Sequence, residues 1–327
     1  MKVFVTGGAG YIGSHVVRQL LEAGHKVAAY DNLSEGHARA IPAEILVRGD
    51  LADETRLIHA LTAYEFDCVI HFAAFTSASE SVRDPEKYYF NNSINGLRLL
   101  AAIREAGVER VLFSSSAAVY GVPQKLPIPE EHLTRPVNVY GQTKLDFENT
   151  LASYARAYGL GYIALRYFNA AGAHAAGDIG EDHRDETHLI PLVLEAALGK
   201  GPGITIFGTD YPTPDGTCVR DYIHVEDLAR AHILALDRIE PGKGKAYNLG
   251  NAAGYSVREV IETARKVTGK EIPAEEGPRR PGDVPQLVAS SNRFIADTRW
   301  TPECPHLEGM IETAWRWHST HPDGYGD

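Results

Sequence analysis

Along the first half of the chain, short apolar runs alternate with segments whose apolar residues recur every three or four positions. The runs at 2–6, 26–30, 45–47, 67–72, 110–114 and 161–166 are apolar on both faces, as in strands covered on each side of a parallel sheet. The periodic segments at about 12–23, 53–63, 85–106 and 138–158 read as amphipathic helices. Repeated strand–helix–strand units imply right-handed crossovers and a doubly wound α/β sheet over residues 1–169. After 169 the rhythm breaks, with glycine and proline frequent in GPGITIFGTDYPTPDGT (201–217) and EEGPRRPGDVP (275–285). Helical periods return near 189–199, 226–238, 256–268 and 305–319, predicting a smaller, loop-rich α/β lobe over 170–327. AYNLG (246–250) reads as a strand, so segments near 221–250 are expected to return to the first sheet. The tail HPDGYGD is expected to fray.

The segment TGGAGYIGSH (6–15) joins the first strand to the first helix. Gly7, Gly10 and Gly13 have the GxxGxxG spacing: the first permits the tight turn, the second lets a pyrophosphate approach, and the third lets helix pack on strand. A helix N-terminus adds free N–H donors and a partial positive charge. Asp31 ends the second strand, where a carboxylate accepts both ribose hydroxyls of NAD and repels the extra phosphate of NADP. The first lobe is thus expected to be Rossmann-type and to bind NAD. Asp50 ends the third strand and is placed either at the adenine or as a plain cap of the helix that follows.

VYGQTK (139–144) contains the one Tyr-x-x-x-Lys match in the chain. At the start of a helix the spacing puts Tyr140 and Lys144 on one face. A free phenol titrates near pH 10, and bringing it to neutrality requires about 4 kcal/mol of preference for the phenolate. A nearby ammonium and an oxidised nicotinamide, both cations, are expected to supply it. Ser116, at the C-terminal edge of a strand in SSSAAVYG (114–121), is the candidate for sharing the substrate proton. Ser114 and Ser115 are expected against backbone or cofactor.

Composition narrows the partners. The 327 residues carry a formal net charge of −11, which argues against nucleic acid or an anionic membrane as partner. No apolar run reaches the ~18 residues of a membrane span, and the chain enters a strand at once, so no leader is expected. Cys68, Cys218 and Cys304 are scattered, with no CxxC, and the 14 histidines include no HExxH. The expectation is no disulfide, no metal site and a cytoplasmic protein; His15, His71 and His174 read as structural.

Together TGGAGYIGS, the Ser116–Tyr140–Lys144 set and LRYFNAAGAH (165–174) resemble the extended short-chain dehydrogenase/reductase family, and within it the nucleotide-sugar epimerases. IFGTDYPTPDGTCVRDYIHVEDLA (206–229) and RRPGD (279–283) carry the resemblance through the second lobe. It implies that Tyr140 is the base, that Lys144 holds the nicotinamide ribose and that Ser116 assists. It extends the cofactor site to Tyr11, Ile12, Asn32, Leu51, Phe72, Ala73, Ala74, Asn92, Ser114, Ser115 and Tyr167. It assigns Asn169, His188, Leu189, Thr205, Phe207, Arg220, Arg280 and Asp283 to the substrate. The guanidinium forks of Arg220 and Arg280 suit a diphosphate; Arg220 could instead pair with Asp221, Asp283 could cap a turn, and Phe207 could be core. Thr76 stands where some relatives carry lysine, His188 where some carry asparagine, and Leu287 where residue size varies.

The implied reaction is epimerisation of a UDP-hexose at carbon 4, with transient oxidation to a 4-keto sugar, rotation about the diphosphate and hydride return. Other UDP-sugars, N-acetylhexosamines, pentoses or uronates, need the same trio and stay open as substrates. A 4,6-dehydratase needs an acid beside the serine, and Ser115–Ser116–Ala117–Ala118 offers none. A non-catalytic NAD-sensing regulator would be expected to lose Tyr140 or Lys144. The helices at 85–106 and 138–158 would, by resemblance, pair with their copies in a homodimer.

Overall fold

The computed structural model describes residues 1–201, 203–280 and 283–326. Pro281 and Gly282 of the RRPGD motif, Pro202 of the glycine-rich stretch and the terminal Asp327 lie outside the described residues. The strands are β1 (Lys2–Thr6), β2 (Lys26–Asp31), β3 (Leu46–Arg48), β4 (Cys68–His71), β5 (Arg110–Ser116), β6 (Gly161–Tyr167), β7 (Asn169–Ala171), β8 (Ile204–Phe207), β9 (Val219–His224), β10 (Gly244–Leu249), β11 (Gly254–Ser256), β12 (Ala274–Gly277) and β13 (Gln286–Leu287). The helices are α1 (Tyr11–Glu22), α2 (Glu54–Thr62), α3 (Ala78–Arg83), α4 (Pro85–Tyr88), α5 (Asn95–Glu105), α6 (Val139–Tyr158), α7 (Leu189–Ala197), α8 (Val225–Leu236), α9 (Val257–Thr268), α10 (Asn292–Thr298) and α11 (Leu307–Thr320).

Seven strands form one sheet in the order β10-β6-β5-β4-β1-β2-β3, each pair parallel. Because both faces are covered, its central strands need apolar residues throughout: Val3, Phe4, Val5, Val69 and Ile70 are fully buried. Alternate residues feed two cores. Val3, Val5 and Ile70 pack with α1 and α8, while Phe4, Val69 and Val111 pack with α2, α5 and α6. Strand order reverses at β1, between β2 and β4, and at such a switch point the strand ends open into a crevice.

The segment 221–250 divides. β10 is the seventh strand of this sheet, beside β6, and α8 packs on α1. β9 instead pairs with β7, β11 and β13 in a second sheet. β8 and β12 form a third, two-stranded sheet. Helices α7, α9 and α11 share the core of the second lobe, around Ile190, Val260 and Met310.

Two expectations change. The helix predicted over 85–106 is interrupted by a π-helical turn at Tyr89–Ile94. The wider turn brings Asn92 inward, where its amide meets the backbone N–H and C=O of Phe75 at 3.0 and 3.1 Å. The C-terminal segment does not fray up to residue 326. Tyr325 is buried, donates its N–H to Asp182 at 2.8 Å and packs on Trp317.

Candidate active site

One cleft of about 710 Å³ runs from the glycine loop to the second lobe. At its first end Gly7 has φ +71°, and a Cβ there would lie 2.5 Å from the Ala73 nitrogen. A Cβ at Gly13 would lie 2.1 Å from the Gly7 carbonyl oxygen. Both positions exclude side chains and keep the α1 N-terminus close to the ends of β1 and β4. Among the described residues no side chain caps α1, so its first N–H groups face the cleft. Asp31 accepts from Ala9 N–H at 2.9 Å and Leu33 N–H at 2.8 Å. Burial raises its pKa, against these two bonds. Asp50 lines the cleft and accepts from Asn32 at 2.8 Å and Ala52 N–H at 2.8 Å. It is not the helix cap, since Asp53 caps α2 by accepting from Arg56 N–H.

In the middle of the cleft, Asn138 caps α6 and starts the helix so that Tyr140 reaches the end of β5. Burial raises the Tyr140 phenol above its usual pKa, and a hydrogen bond with Ser116 pulls it part-way back. Ser116 also accepts from Ala118 N–H at 3.1 Å. One turn along α6, buried Lys144 donates to the Ser114 carbonyl at 2.8 Å. Its Nζ lies 5.8 Å from the Tyr140 ring centroid, and burial takes its pKa down to about 7. In the protein without cofactor, burial works against both charged forms.

At the far end, Arg220 donates to the carbonyls of Val219 and Val284 at 3.0 and 2.7 Å and approaches Asp283 at 3.9 Å. Arg280 pairs with Asp283 at 3.2 Å and lies 4.8 Å from the centroid of Phe207. Phe207 is 38% exposed, so it is not core. Arg220 makes no pair with Asp221, which is buried and accepts from the N–H groups of Asn251, Ala252 and Ala289. Burial lifts Asp221 to about 7 in spite of those donors.

Of the sequence candidates, Gly7, Gly10, Tyr11, Ile12, Gly13, Asp31, Asn32, Asp50, Leu51, Phe72, Ala73, Ala74, Ser114, Ser116, Tyr140, Tyr167, Asn169, His188, Leu189, Arg220, Arg280 and Asp283 line the cleft. Lys144, Ser115, Asn92, Thr205 and Phe207 are not in its lining; Lys144 lies buried behind it, its Nζ on the Ser114 carbonyl. The pleat turns Ser115 away, and its hydroxyl donates to Glu148 at 2.5 Å beside the buried Glu148–Arg166 pair. Asn92 ties the Phe75 backbone to Thr143 of α6. Thr205 faces Glu275 across β8 and β12. Sequence reasoning missed Gly36, Tyr222 and the loop residues Glu181 and His183, all in the lining, as is Thr76. The polar run GEDHRDETH before α7 was the available signal for the last two.

A switch-point cleft with an open glycine loop, a carboxylate at the end of β2 and a Tyr–Ser–Lys cluster defines a dinucleotide-dependent enzyme of the extended short-chain dehydrogenase/reductase class. The chain belongs to the NAD dependent epimerase/dehydratase family, whose model matches residues 3–250. It is 51% identical over 326 residues to the UDP-glucose 4-epimerase of Halalkalibacterium halodurans, covering 99% of this chain and 98% of that protein. It is 48% identical over 329 residues to that of Lacticaseibacillus casei, covering 100% and 99%. The fold matches the crystal structure of UDP-glucose 4-epimerase from Bifidobacterium longum in complex with NAD+ and UDP with a TM-score of 0.95. That match is at 37% identity and covers 99% and 100% of the two chains. Among the described residues no helix is long and apolar enough to cross a membrane.

Proposed function

We propose that the chain interconverts UDP-glucose and UDP-galactose by inversion at carbon 4. The observation that carries this reading is the continuity of the cleft from Gly7 and Asp31, past Tyr140 and Ser116, to Arg220, Asp283 and Arg280. Its first part fits a dinucleotide and its last part a diphosphate, with the proton-transfer groups between them. The UDP-glucose 4-epimerases it is similar to point to the same chemistry.

NAD, when bound, supplies the hydride acceptor for carbon 4 and a positive charge that favours the phenolate. Gly7, Gly10, Gly13 and the α1 N-terminus hold its pyrophosphate, and Asp31 holds a ribose. Tyr140 takes the proton of the sugar 4-hydroxyl and returns it after the hexose has turned. Ser116, beside Tyr140, steadies that proton at the phenol oxygen. Arg220 and Arg280 keep the diphosphate fixed while the hexose rotates; the two backbone carbonyls that hold Arg220 limit the ordering needed on binding.

The test is incubation with UDP-galactose, UDP-N-acetylgalactosamine and UDP-pentoses without added cofactor, followed by product analysis. UDP-galactose should yield UDP-glucose. Turnover by protein stripped of all NAD, or conversion of every sugar except the hexose, would overturn the reading. Leu287 and His188, both in the lining, bear on which further sugars enter.

We also infer a homodimer. Phe90, Ile94 and Leu97 are 53%, 37% and 47% exposed along the π-helical turn and the first turn of α5. A second copy covering this face through α5 and α6 would bury it. Light scattering showing a monomer at micromolar concentration would refute this. The three cysteines are free, which supports a reducing compartment, the cytoplasm; cell fractionation tests that placement.

A further inference from the structure

We propose that the loop 181–188 is a structural site for a first-row divalent cation, zinc by preference, held by Glu181, His183, Glu186 and His188. The four side chains come from eight consecutive residues ahead of α7, and each offers one ligand atom, all within 4.8 Å of one another. His188 Nδ1 lies 3.0 Å from Glu181 and 3.0 Å from Glu186. His183 Nδ1 lies 3.5 Å from Glu181 and 3.1 Å from Glu186. A tetrahedral ion with bonds of about 2.0–2.2 Å sets its ligands roughly 3.3–3.6 Å apart; the four histidine–carboxylate contacts are near that spacing, and the wider separations, up to 4.8 Å, would close on an ion.

The pattern of approach is the stronger argument. Each imidazole turns the same nitrogen toward both carboxylates, and one N–H serves two acceptors poorly. Four atoms converging on a common centre are better satisfied by a cation. Two imidazoles and two carboxylates, without sulfur, suit zinc and its first-row neighbours rather than calcium or magnesium, which take oxygen ligands. Glu186 is oriented for this by the N–H groups of Thr187 and His188, each at 2.7 Å.

A second observation points to the same place. A small cavity of about 40 Å³ borders Glu181, His183 and Glu186 and is also lined by His318. The His318 Nε2 is buried and has no hydrogen-bond partner among the described residues. The cavity has room for one water, which would link that nitrogen to the ion's surroundings. Four protein ligands close the coordination shell, so the ion would be structural rather than catalytic. Glu181, His183 and His188 also line the main cleft, and the ion would set the position of that wall. The absence of HExxH hid such a site, because its ligands follow E-x-H-x-x-E-x-H in a loop rather than a helical spacing.

The test uses full-length, NAD-loaded protein treated with chelator and titrated with zinc chloride. Elemental analysis should find one zinc per chain, and the ion should raise the thermal midpoint. Cobalt(II) in its place should give the visible bands of a tetrahedral N/O site. Since even losing a ligand's hydrogen-bond partner weakens metal binding ~10–100-fold, His183→Ala and Glu186→Gln should each weaken it at least ~100-fold and abolish the cobalt spectrum. No stoichiometric zinc in wild type at micromolar free metal would overturn the proposal, leaving a cluster held by ion pairs alone. Zinc binding by the variants equal to wild type would overturn it too. Should a variant fail to fold, the wild-type cobalt spectrum decides: octahedral bands would refute the site.

Discussion

Lys144 donates from Nζ to the carbonyl oxygen of Ser114 at 2.8 Å, tying α6 to the end of β5. The acceptor is a neutral carbonyl rather than a carboxylate, so it does little to offset the burial that takes the lysine to about 7.

That shift predicts how stability varies with pH. Between about 7 and 10.5 the unfolded lysine is protonated and the folded one is not. The unfolded state then binds more protons, so this group's penalty lessens as pH rises through the window and is felt in full below it. Lys144→Met removes the penalty. The variant should be more stable than wild type at pH 6, by on the order of 5 kcal/mol, with a smaller gain at pH 9 and activity lost. Urea unfolding at the two pH values checks this; a variant less stable at pH 6 would refute it.

Tyr140→Phe should lower kcat by ~10²–10⁴-fold and leave UDP binding, measured by calorimetry, nearly unchanged. Neighbouring serines should separate. Ser116→Ala acts on kcat, because the Ser116 hydroxyl draws down the Tyr140 phenol. Ser115→Ala acts on stability, by ~1–2 kcal/mol, because its hydroxyl is spent on Glu148. Equal losses of kcat for the two serines would contradict the pleat assignment.

Gly13→Ala should strip the cofactor. Its Cβ would meet the Gly7 carbonyl oxygen at 2.1 Å, which forces the loop and α1 apart and costs ~1–3 kcal/mol. Absorbance of NAD released from the denatured protein should fall well below one equivalent, with a lower thermal midpoint.

Arg220→Ala should raise KM for UDP-galactose more than it lowers kcat. A hydrogen bond to a charged group contributes ~1.5–3 kcal/mol, so a rise of roughly 10–100-fold is expected. The variant also frees the Val219 and Val284 carbonyls. Arg220→Lys, a point charge without the fork, should rescue only in part.

The sequence by itself determined what depends on near neighbours along the chain. Gly7, Gly10 and Gly13 set the loop through backbone sterics, and the four-residue step from Tyr140 to Lys144 puts both on one face of α6. Two-faced apolar runs defined the first six strands, and AYNLG was legible as a returning strand. Only the tertiary structure decided matters of parity, register and convergence. Whether Ser115 or Ser116 faces the cleft depends on which side of β5 meets α6. The inward turn of Asn92 depends on a π-helical turn that no periodicity announces. Thr205 meets Glu275 through a strand pairing across 70 positions of sequence. Glu181, His183, Glu186 and His188 converge in a loop that Trp317 and Tyr325 hold through the Glu181 carbonyl and the Asp182 carboxylate. Local spacing is governed by bond geometry and sterics that act within a few residues; these other relations depend on contacts that exist only once distant segments have packed.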